Sequence, residues 1–444
     1  MKTILLAAGR SKRLKPLGDK NFLNFLGKPL LQWQLEQLYK AGFKDVVVVG
    51  GAHNLEEISG LIKNVPNEVT VVEQENLNEG MAGAVLAAKK MIAKKEPVLI
   101  VSGNDVIESS AFEQIMAAHR VAEHGLLLAK EVDAYFPGGY LKTDEDFFCK
   151  NIVEKPGKGN EPSNLVNIVV HYFGQSGDLF KTLEEIDSKN DDRYESALAE
   201  MMNKGARIRA IPYEGFWKPV KYPWHVLDLT EHFLKTLSEY EIRNLENTGI
   251  EIADTATVKG GVYLEDGVKI LDNAVVAGPA YIGRNTVIAT NALVRNSHIG
   301  DNCVIGFGTE VARSYVGNCV WTHSNYIGDS IIGDNCSFGA GTVTGNLRLD
   351  EAAVLVNVEG SKVSAERNKL GLIMGSGVRC GINTSFMPGV KIGRNSMVGA
   401  GIVVAADVEE GKYVYGKTEL IVKDNTSKLS PAVRAEMQKK LKSI

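Results

Sequence analysis

A repeat of six residues in the second half of the chain constrains its fold more than any other feature of the sequence. Seven branched aliphatic residues follow one another at this spacing: Val258, Leu264, Ile270, Val276, Ile282, Ile288 and Val294. An α-helix repeats about every 3.6 residues and a half-buried strand about every two, so neither explains the spacing. A triangular parallel β-helix does, because each six residues then form one short strand and one corner, where Gly or Asn takes a positive φ.

The repeat continues toward the C-terminus with shifts of phase. It returns at Ile299, Ile305 and Val311, at Ile327, Ile332 and Phe338, and at Ile392, Val398 and Val404. A glycine-rich antiparallel sandwich is the alternative fold, but it gives no reason for seven consecutive residues at one spacing. We therefore predict a left-handed parallel β-helix of hexapeptide repeats over residues 251–420. An insertion over 347–370 interrupts it, and a helical tail follows over 421–444.

The first half of the chain alternates between strand and helix patterns. Apolar runs that predict strands lie at Thr3–Ala7, Asp45–Val49, Val69–Val72 and Val98–Val101, and helical spacing lies at Pro29–Ala41 and Met81–Ile92. This order predicts right-handed βαβ units and a mostly parallel sheet. We expect a Rossmann-like α/β domain over residues 1–230, with its ligands at the carboxyl ends of the strands, and a helical connector over 231–250.

Charge and composition exclude several classes of protein. The 444 residues carry a formal net charge of −4, which gives no general attraction to nucleic acid or to an anionic membrane. No apolar stretch approaches the roughly 20 residues of a membrane helix, and the N-terminal apolar run is too short for a signal peptide. Five scattered cysteines without a CxxC pair fit free thiols rather than disulfides or zinc. The sequence therefore predicts a cytoplasmic protein.

A small-residue loop with several basic side chains follows the first predicted strand. Ala7, Ala8 and Gly9 let the backbone approach a phosphate or a base, and Arg10, Lys12, Arg13 and Lys15 follow within six residues. Backbone N–H groups and basic side chains together bind phosphate oxygens. The residues alone leave a solvated basic loop as the alternative.

The segment over residues 6–30 resembles the signature of sugar-1-phosphate nucleotidylyltransferases, in which LAAGxGTRLxP precedes PKxLxxxxGKPLL. Other segments that resemble the family's motifs, in the same order, are GMAGA at 80–84, SGNDV at 102–106, GGY at 138–140, IVEKP at 152–156, FW at 216–217 and YPW at 222–224. The resemblance covers about residues 1–230 and, as an ordered set, is more specific than any single motif.

The resemblance implies roles for individual residues. It implies nucleotide contacts for Ala8, Gly9, Gln74 and Gly80, triphosphate contacts for Arg13 and Lys20, a Mg²⁺ ligand in Asp105, and sugar contacts for Gly139, Glu154 and Asn167. The implied reaction is attack of a sugar-1-phosphate oxygen on the α-phosphorus of UTP or dTTP, with release of pyrophosphate. Such a reaction depends on positioning and charge neutralisation rather than on a protein nucleophile.

The first domain departs from the family pattern at three places. Ser11 and Lys12 replace a Gly-Thr pair, and Asp19 replaces a proline before Lys20. Pro219 stands where the family has an aspartate that binds the second metal ion, and a proline side chain cannot coordinate a cation. Nearby Lys218 and Lys221 offer positive charge instead. The alternative is a degenerate domain that binds nucleotide or sugar phosphate and has a regulatory or scaffold function.

The segment THSNYIGD at 322–329 resembles the H-x-x-Y-x-G-D segment of hexapeptide acetyltransferases, and 338–346 and 369–393 extend the match. The resemblance is to bifunctional glucosamine-1-phosphate acetyltransferase/N-acetylglucosamine-1-phosphate uridylyltransferases. It implies a general base in His323, acetyl-CoA as co-substrate, sugar-phosphate contacts for Arg295, Tyr326 and Asn346, and a homotrimer with acyl-CoA sites between subunits. A neutral imidazole suits deprotonation of a sugar amine.

Two departures weaken the second match. Ala312 falls on a family lysine, for which the adjacent Arg313 is a substitute, and Ser337 falls on a family asparagine. Without its neighbours, His323 is a surface histidine on the edge of the β-helix. Together the two halves predict synthesis of UDP-N-acetylglucosamine or a related nucleotide sugar.

Overall fold

The computed structural model describes residues 1–188, 192–237, 242–243, 249–417, 419–428 and 430–442. It confirms the predicted fold class, because an α/β domain with a largely parallel sheet precedes a left-handed parallel β-helix. Within these residues, no helix has both the length and the apolar character required to cross a bilayer.

A nine-stranded sheet forms the centre of the first domain. Its main path runs through Cys149–Glu154, Gly139–Thr143, Leu165–Phe173, Val98–Ser102, Lys2–Leu6, Asp45–Gly50 and Glu68–Glu73, with Gly125–Glu131 and Ile208–Pro212 branching from it. The four strands from Val98–Ser102 to Glu68–Glu73 are parallel, as predicted. Successive residues of the central strands enter two different apolar clusters. Both faces of the sheet are therefore covered, which explains the unbroken apolar runs.

Helices cover the sheet and connect its strands. They lie at Leu30–Lys40, Leu55–Leu61, Gly80–Ala87, Ser109–Ala118, Ser176–Glu185, Arg193–Asn203 and His225–Lys235, with 3-10 turns at Lys12–Leu14, Lys20–Phe22, Ile62–Asn64, Leu77–Glu79, Ala88–Met91 and His119–Val121. Two short antiparallel pairs lie outside the sheet, Asn24–Phe25 with Lys28–Pro29 and Asp105–Ile107 with Trp217–Pro219.

The second half forms a prism with three parallel faces. The first face contains Ile242–Arg243, Val262–Leu264, Ala280–Ile282, His298–Ile299, Tyr315–Val316, Ile331–Ile332, Ile373–Met374 and Lys391–Ile392. The second contains Glu251–Ile252, Lys269–Ile270, Val287–Ile288 and Val304–Ile305, then Ser337–Phe338, Arg379–Cys380, Met397–Val398 and Tyr413–Val414. The third contains Thr257–Lys259, Val275–Ala277, Leu293–Arg295, Glu310–Ala312, Tyr326–Gly328, Val343–Thr344, Ser385–Phe386 and Val403–Val404.

The aliphatic residues of the repeat fill the interior of this prism. Leu264, Ile270, Val276, Ile282, Ile288 and Val294 are buried in one continuous cluster, and Val258 packs against its end. Asparagines with positive φ occupy corners, for example Asn285 (φ 54°) and Asn302 (φ 56°). The predicted use of the six-residue repeat is confirmed, with asparagine tolerating the left-handed conformation because its short polar side chain bonds locally.

Two predicted segments lie partly outside the described residues. In the connector predicted as helical over 231–250, residues 231–235 end the helix His225–Lys235 and Ile242–Arg243 form a strand of the first face, while residues 238–241 and 244–248 lie outside the described residues. In the predicted tail over 421–444, the helix is Pro431–Leu441, and residues 421–428 are irregular.

The predicted insertion is a β-hairpin. Leu355–Val358 pairs in antiparallel fashion with Ser361–Ser364. The chain leaves the prism after Asn346 and returns at Leu370, whose N–H donates to the carbonyl of Asn346 at 2.9 Å. The closed base lets the insertion project from the prism without breaking its ladder.

An apolar interface joins the two halves. Phe25 and Phe233 stack at a centroid distance of 4.9 Å, and Phe25 lies 5.5 Å from the ring of Tyr315 in the prism. The backbone N–H of Asn24 donates to the hydroxyl of Tyr315 at 3.2 Å. Arg367, beside the hairpin, donates to Asp228 of the helix His225–Lys235 at 2.6 Å. The β-helix is therefore packed against the first domain rather than tethered to it.

Candidate active sites

A cavity of about 960 Å³ opens at the carboxyl ends of the parallel strands. It brings together every site residue predicted in the first domain: Ala8, Gly9, Arg13, Lys20, Gln74, Gly80, Asp105, Gly139, Glu154 and Asn167. These residues come from loops far apart in sequence, and their convergence follows from the parallel sheet, which delivers all its carboxyl ends to one edge.

Ser11 and Asp19, which both depart from the family pattern, contact each other in the basic loop that follows the first strand. The hydroxyl of Ser11 donates to Asp19 Oδ1 at 3.3 Å and accepts from the N–H of Lys20 at 3.3 Å. Asp19 also accepts from the N–H of Asn21 at 3.0 Å and from Asn54 Nδ2 at 2.7 Å. The substitutions at 11 and 19 therefore form one network, and this network fixes the loop before Lys20 by hydrogen bonds.

Lys20 lies deep in the cavity. It is buried, and its ammonium donates to Asn104 Oδ1. Burial lowers the pKa of Lys20 to about 8, while the charges of Asp19 and Asp105 oppose this change. The side chain is therefore mostly cationic near pH 7, and its charge is weakly screened by water.

Asp105 faces Pro219 across the short antiparallel pair. Burial raises the pKa of Asp105, and the nearby charges of Lys221 and Lys20 oppose this effect. In the described part of the chain, no group of three or more His, Cys, Asp and Glu side chains could hold a metal ion.

The structure separates the two lysines that flank Pro219. Lys218 pairs with Asp228 at 2.6 Å, in the ion-pair cluster that also contains Arg367. Lys221 lines the cavity, where its ammonium donates to the carbonyl of Pro137 at 2.9 Å. Burial lowers the pKa of Lys221, and Asp105 and Glu154 oppose this shift. Only Lys221 is thus positioned to act on a ligand in the cavity.

A buried hydrogen-bonded chain supports the predicted sugar contact Asn167. His171 Nε2 lies 2.9 Å from Asn167 Oδ1, and His171 Nδ1 lies 2.9 Å from the hydroxyl of Tyr194. Burial lowers the pKa of His171 to about 3, so the imidazole is neutral. The chain of bonds is satisfied when Tyr194 donates to Nδ1 and Nε2–H donates to Asn167. The amide nitrogen of Asn167 then remains available as a donor.

Sequence reasoning missed His171 and Tyr194. The signal that could have found His171 was a single histidine inside the apolar run 165–173, where a polar side chain requires a partner.

The amide of Gln74 is held by its own loop. Its Nε2 donates to the carbonyls of Asn76 and Gly80 at 3.1 and 2.9 Å. A Cβ atom at Gly83 would lie 2.9 Å from that nitrogen. The amide oxygen of Gln74 is therefore presented as a fixed acceptor.

Tyr326 and Asn346, two of the residues predicted in the β-helix, belong to a second cluster on the third face. Asn346 Nδ2 donates to the hydroxyl of Tyr326 at 3.2 Å and to Asp329 at 2.5 Å. Arg313, named above as a substitute for the family lysine, makes a two-point ion pair with Asp329 at 2.8 and 2.6 Å. Arg295 lies on the same face and donates twice to Glu310, at 2.9 and 2.6 Å. Asp329 and Glu310 were not among the predicted site residues.

His323 lies apart from this cluster at an exposed corner. Its backbone N–H donates to Asn325 Oδ1 at 2.6 Å. Near this corner, the aromatic side chains of Phe307 and Trp321 are 59% and 57% exposed. The corner is thus an open apolar surface in the single chain.

Three comparisons describe what the chain resembles. The Nucleotidyl transferase family matches residues 2–222, the bacterial transferase hexapeptide family matches 261–296, and the hexapeptide repeat of succinyl-transferase matches 372–406. The chain is 33% identical over 429 residues to "Bifunctional protein GlmU" of Methanococcus maripaludis, covering 95% of this chain and 99% of the relative.

A second relative is the "Bifunctional sugar-1-phosphate nucleotidylyltransferase/acetyltransferase" of Sulfurisphaera tokodaii. It is 34% identical over 422 residues, with 93% of this chain and 99% of the relative covered. Among solved structures, apo UDP-glucose pyrophosphorylase aligns with 53% of this chain and 98% of its own, at 22% identity and a TM-score of 0.46.

The network of Ser11 and Asp19 generates a first prediction. Asp19→Ala removes the acceptor of the Asn21 backbone N–H and of the Ser11 hydroxyl on either side of Lys20, so we expect UTP to bind about tenfold more weakly, as loss of a charged hydrogen bond implies. Calorimetric titration with UTP measures the change. Asp133→Ala, at an exposed aspartate outside the cavity, is the control, and equal affinities of the two variants would contradict the role of the network.

Proposed function

The chain belongs to the family of bifunctional sugar-1-phosphate nucleotidylyltransferase/acetyltransferases that includes the GlmU proteins, and from this premise we propose that it makes a nucleotide sugar. The first domain transfers a nucleotidyl group from UTP or dTTP to N-acetylglucosamine-1-phosphate or glucose-1-phosphate. The β-helix acetylates glucosamine-1-phosphate with acetyl-CoA. The observation that carries the first activity is the single cavity that unites the basic loop, Gln74, Asp105 and Asn167.

Nucleotidyl transfer requires charge neutralisation in this cavity. An oxygen of the sugar-1-phosphate attacks the α-phosphorus and forms a new P–O bond, while the bond to the bridging oxygen breaks and pyrophosphate leaves with the electron pair. Arg13 and Lys20 bind the departing phosphates, and the buried position of Lys20 strengthens its effect because little water screens it. Aligning the two reactants accounts for much of the remaining acceleration.

Gln74 supports a preference for uracil or thymine. Because its amide nitrogen is bonded within the protein, its oxygen is the group left to meet the base. Uracil and thymine carry an N–H donor on the edge that pairs with adenine, whereas cytosine has no hydrogen on that ring nitrogen. The sugar side is supported by Asn167, which the neutral His171 orients as a donor, and by Glu154 as an acceptor of hydroxyl hydrogens.

Asp105 fits a Mg²⁺ ion that arrives with the triphosphate. Mg²⁺ is commonly held by one or two carboxylates together with substrate phosphates and water, so one aspartate is sufficient for that ion. When bound, the ion supplies positive charge to the reacting phosphates. Pro219 offers no ligand for a second ion, and Lys221 takes over that charge from the same side of the cavity.

The β-helix supports acetyl transfer less completely within one chain. Arg295, Tyr326 and Asn346 are proposed to bind the sugar phosphate, and His323 is the proposed base that takes the amine proton. The apolar corner around His323 favours a homotrimer whose neighbouring subunit covers it, because exposed apolar patches mark interaction surfaces. We place the protein in the cytoplasm, without nucleic-acid or membrane partners.

A degenerate first domain is the competing function. The proline opposite Asp105 favours this alternative, because Pro219 stands where the family has a metal-binding aspartate. A nucleotide-binding domain without turnover would then regulate or scaffold the β-helix. Pyrophosphate release separates the two functions.

Two reciprocal variants test the proposed activities in one preparation. Asp105→Ala should reduce Mg²⁺-dependent pyrophosphate release from UTP and a hexose-1-phosphate by at least about 100-fold, while acetyl-CoA consumption with glucosamine-1-phosphate persists. His323→Ala should produce the opposite pattern, as loss of a general base costs about 10²–10⁴-fold. Wild-type protein that binds UTP but releases no pyrophosphate with any sugar phosphate would establish the degenerate alternative.

The two lysines beside Pro219 provide a matched pair. Lys221→Met should weaken UTP binding in EDTA by about tenfold, because a cation in the cavity is lost without a metal ion to replace it. Lys218→Met, whose partner is Asp228 outside the cavity, should leave that affinity nearly unchanged. Calorimetry in EDTA requires no turnover, and equal effects of the two variants would contradict the role assigned to Lys221.

A further inference from the structure

The hairpin of the β-helix ends at the nucleotide cavity of the first domain. Its strands pair Val358 with Ser361, so only Glu359 and Gly360 form the turn, with φ angles of 48° and 85°. Two successive positive φ angles describe a tight type I′ turn, which matches the twist of its strands. The turn therefore presents Glu359 from a well-defined backbone, and Glu359 lines the cavity.

The apolar side of the hairpin packs with the loop that carries Arg13. Val354, Val356 and Val358 are buried in one cluster with Leu14 and Leu17. Burial of these apolar side chains away from water stabilises their contact. The hairpin and the loop therefore hold each other in a fixed relative position.

A corner of the prism contacts the same loop. A Cβ atom at Gly375 would lie 2.8 Å from the carbonyl oxygen of Pro16. Only a residue without a side chain permits so close an approach of the loop. The loop over residues 13–17 thus contacts the β-helix through both the hairpin and the prism.

Glu359 forms an ion pair with Arg13 through one edge of the guanidinium. The distance from Arg13 Nε to Glu359 Oε2 is 3.7 Å, and both side chains are about half exposed. A guanidinium can engage one acid through the edge that contains Nε and a second through its two terminal nitrogens. The contact with Glu359 is longer than a hydrogen bond, so it attracts the guanidinium toward the hairpin by charge and leaves the terminal nitrogens for a phosphate.

We propose that Glu359 is a positioning residue for nucleotidyl transfer, which it serves by orienting Arg13 toward the leaving pyrophosphate. The site of the first domain is then completed by a residue of the β-helix. This inference rests on the proposed nucleotidyl transfer and adds a residue to it.

Removal of the Glu359 carboxylate has opposite expected effects under the two explanations, so the direction of the change in affinity distinguishes them. A negative charge that only lies near the phosphates repels them, so its removal strengthens pyrophosphate binding. A carboxylate that orients Arg13 has the reverse effect, because the guanidinium becomes mobile when its partner is lost. Exposed ion pairs contribute modestly to binding, so the expected change is a few-fold.

The experiment compares Glu359→Ala and Glu359→Gln in the full chain. In the reverse reaction, Glu359→Ala should raise KM for pyrophosphate about fivefold with KM for the nucleotide sugar unchanged, and Glu359→Gln, which retains an acceptor, about twofold. Calorimetric titration with magnesium pyrophosphate should show the same order without requiring turnover. Glu366→Ala is the matched control, because this exposed glutamate lies in the same insertion and outside the cavity.

A double-mutant cycle completes the test. In an Arg13→Ala background, Glu359→Ala should have no further effect on pyrophosphate affinity, because its influence passes through Arg13. Additive losses, or unchanged or tighter binding in Glu359→Ala, overturn the inference. Absence of turnover in the wild-type chain overturns the proposed function instead, and the calorimetric comparison still decides the role of Glu359.

Discussion

The contact between the basic loop over residues 9–20 and the β-helix is the interaction on which the rest of the structure depends. The loop follows a buried strand of the first domain, and its residues Leu14 and Leu17 are buried with valines of the hairpin. On its other side, Ser11 and Asp19 bind one another and accept from the backbone N–H groups of Lys20 and Asn21. Arg13 and Lys20 are thus held from opposite sides, one by the second half of the chain and one by the first.

This contact couples the position of the loop in the first domain to the β-helix. A β-helix is rigid because its interior aliphatics and its parallel ladder bond each coil to the next, and here that rigidity extends to the loop that carries Arg13. The insertion that carries the hairpin begins immediately after Asn346, which bonds Tyr326 and Asp329 in the second candidate site. The two candidate sites are therefore joined by one continuous segment of chain.

The sequence predicted what local periodicity determines. The six-residue repeat and the parallel strands appear where they were expected, because burial on one or two faces writes a regular pattern into the chain. The cavity residues were found through the family resemblance, and the sheet brings them together.

The interactions that the sequence did not predict are long-range or individual. Nothing near Glu359 indicates that its partner is Arg13, since the pair depends on packing between the two halves. Lys218 lies in the short strand Trp217–Pro219 and Lys221 lies beyond its end, so their different partners, Asp228 and the carbonyl of Pro137, depend on tertiary packing. The hydrogen bond between Ser11 and Asp19 was also not predicted, because in the sequence each residue is only a departure from the family pattern.

The proposed function and the role of Glu359 both depend on one nucleotide site that is built from both halves of the chain. Hydrogen–deuterium exchange of the full-length protein, with and without UTP and Mg²⁺, tests this arrangement. We expect UTP to slow exchange in the loop over residues 9–20 and in the hairpin over 355–364 at the same nucleotide concentration. Protection confined to the first domain, with exchange in the hairpin unchanged at saturating UTP, would show that the hairpin is not part of the site.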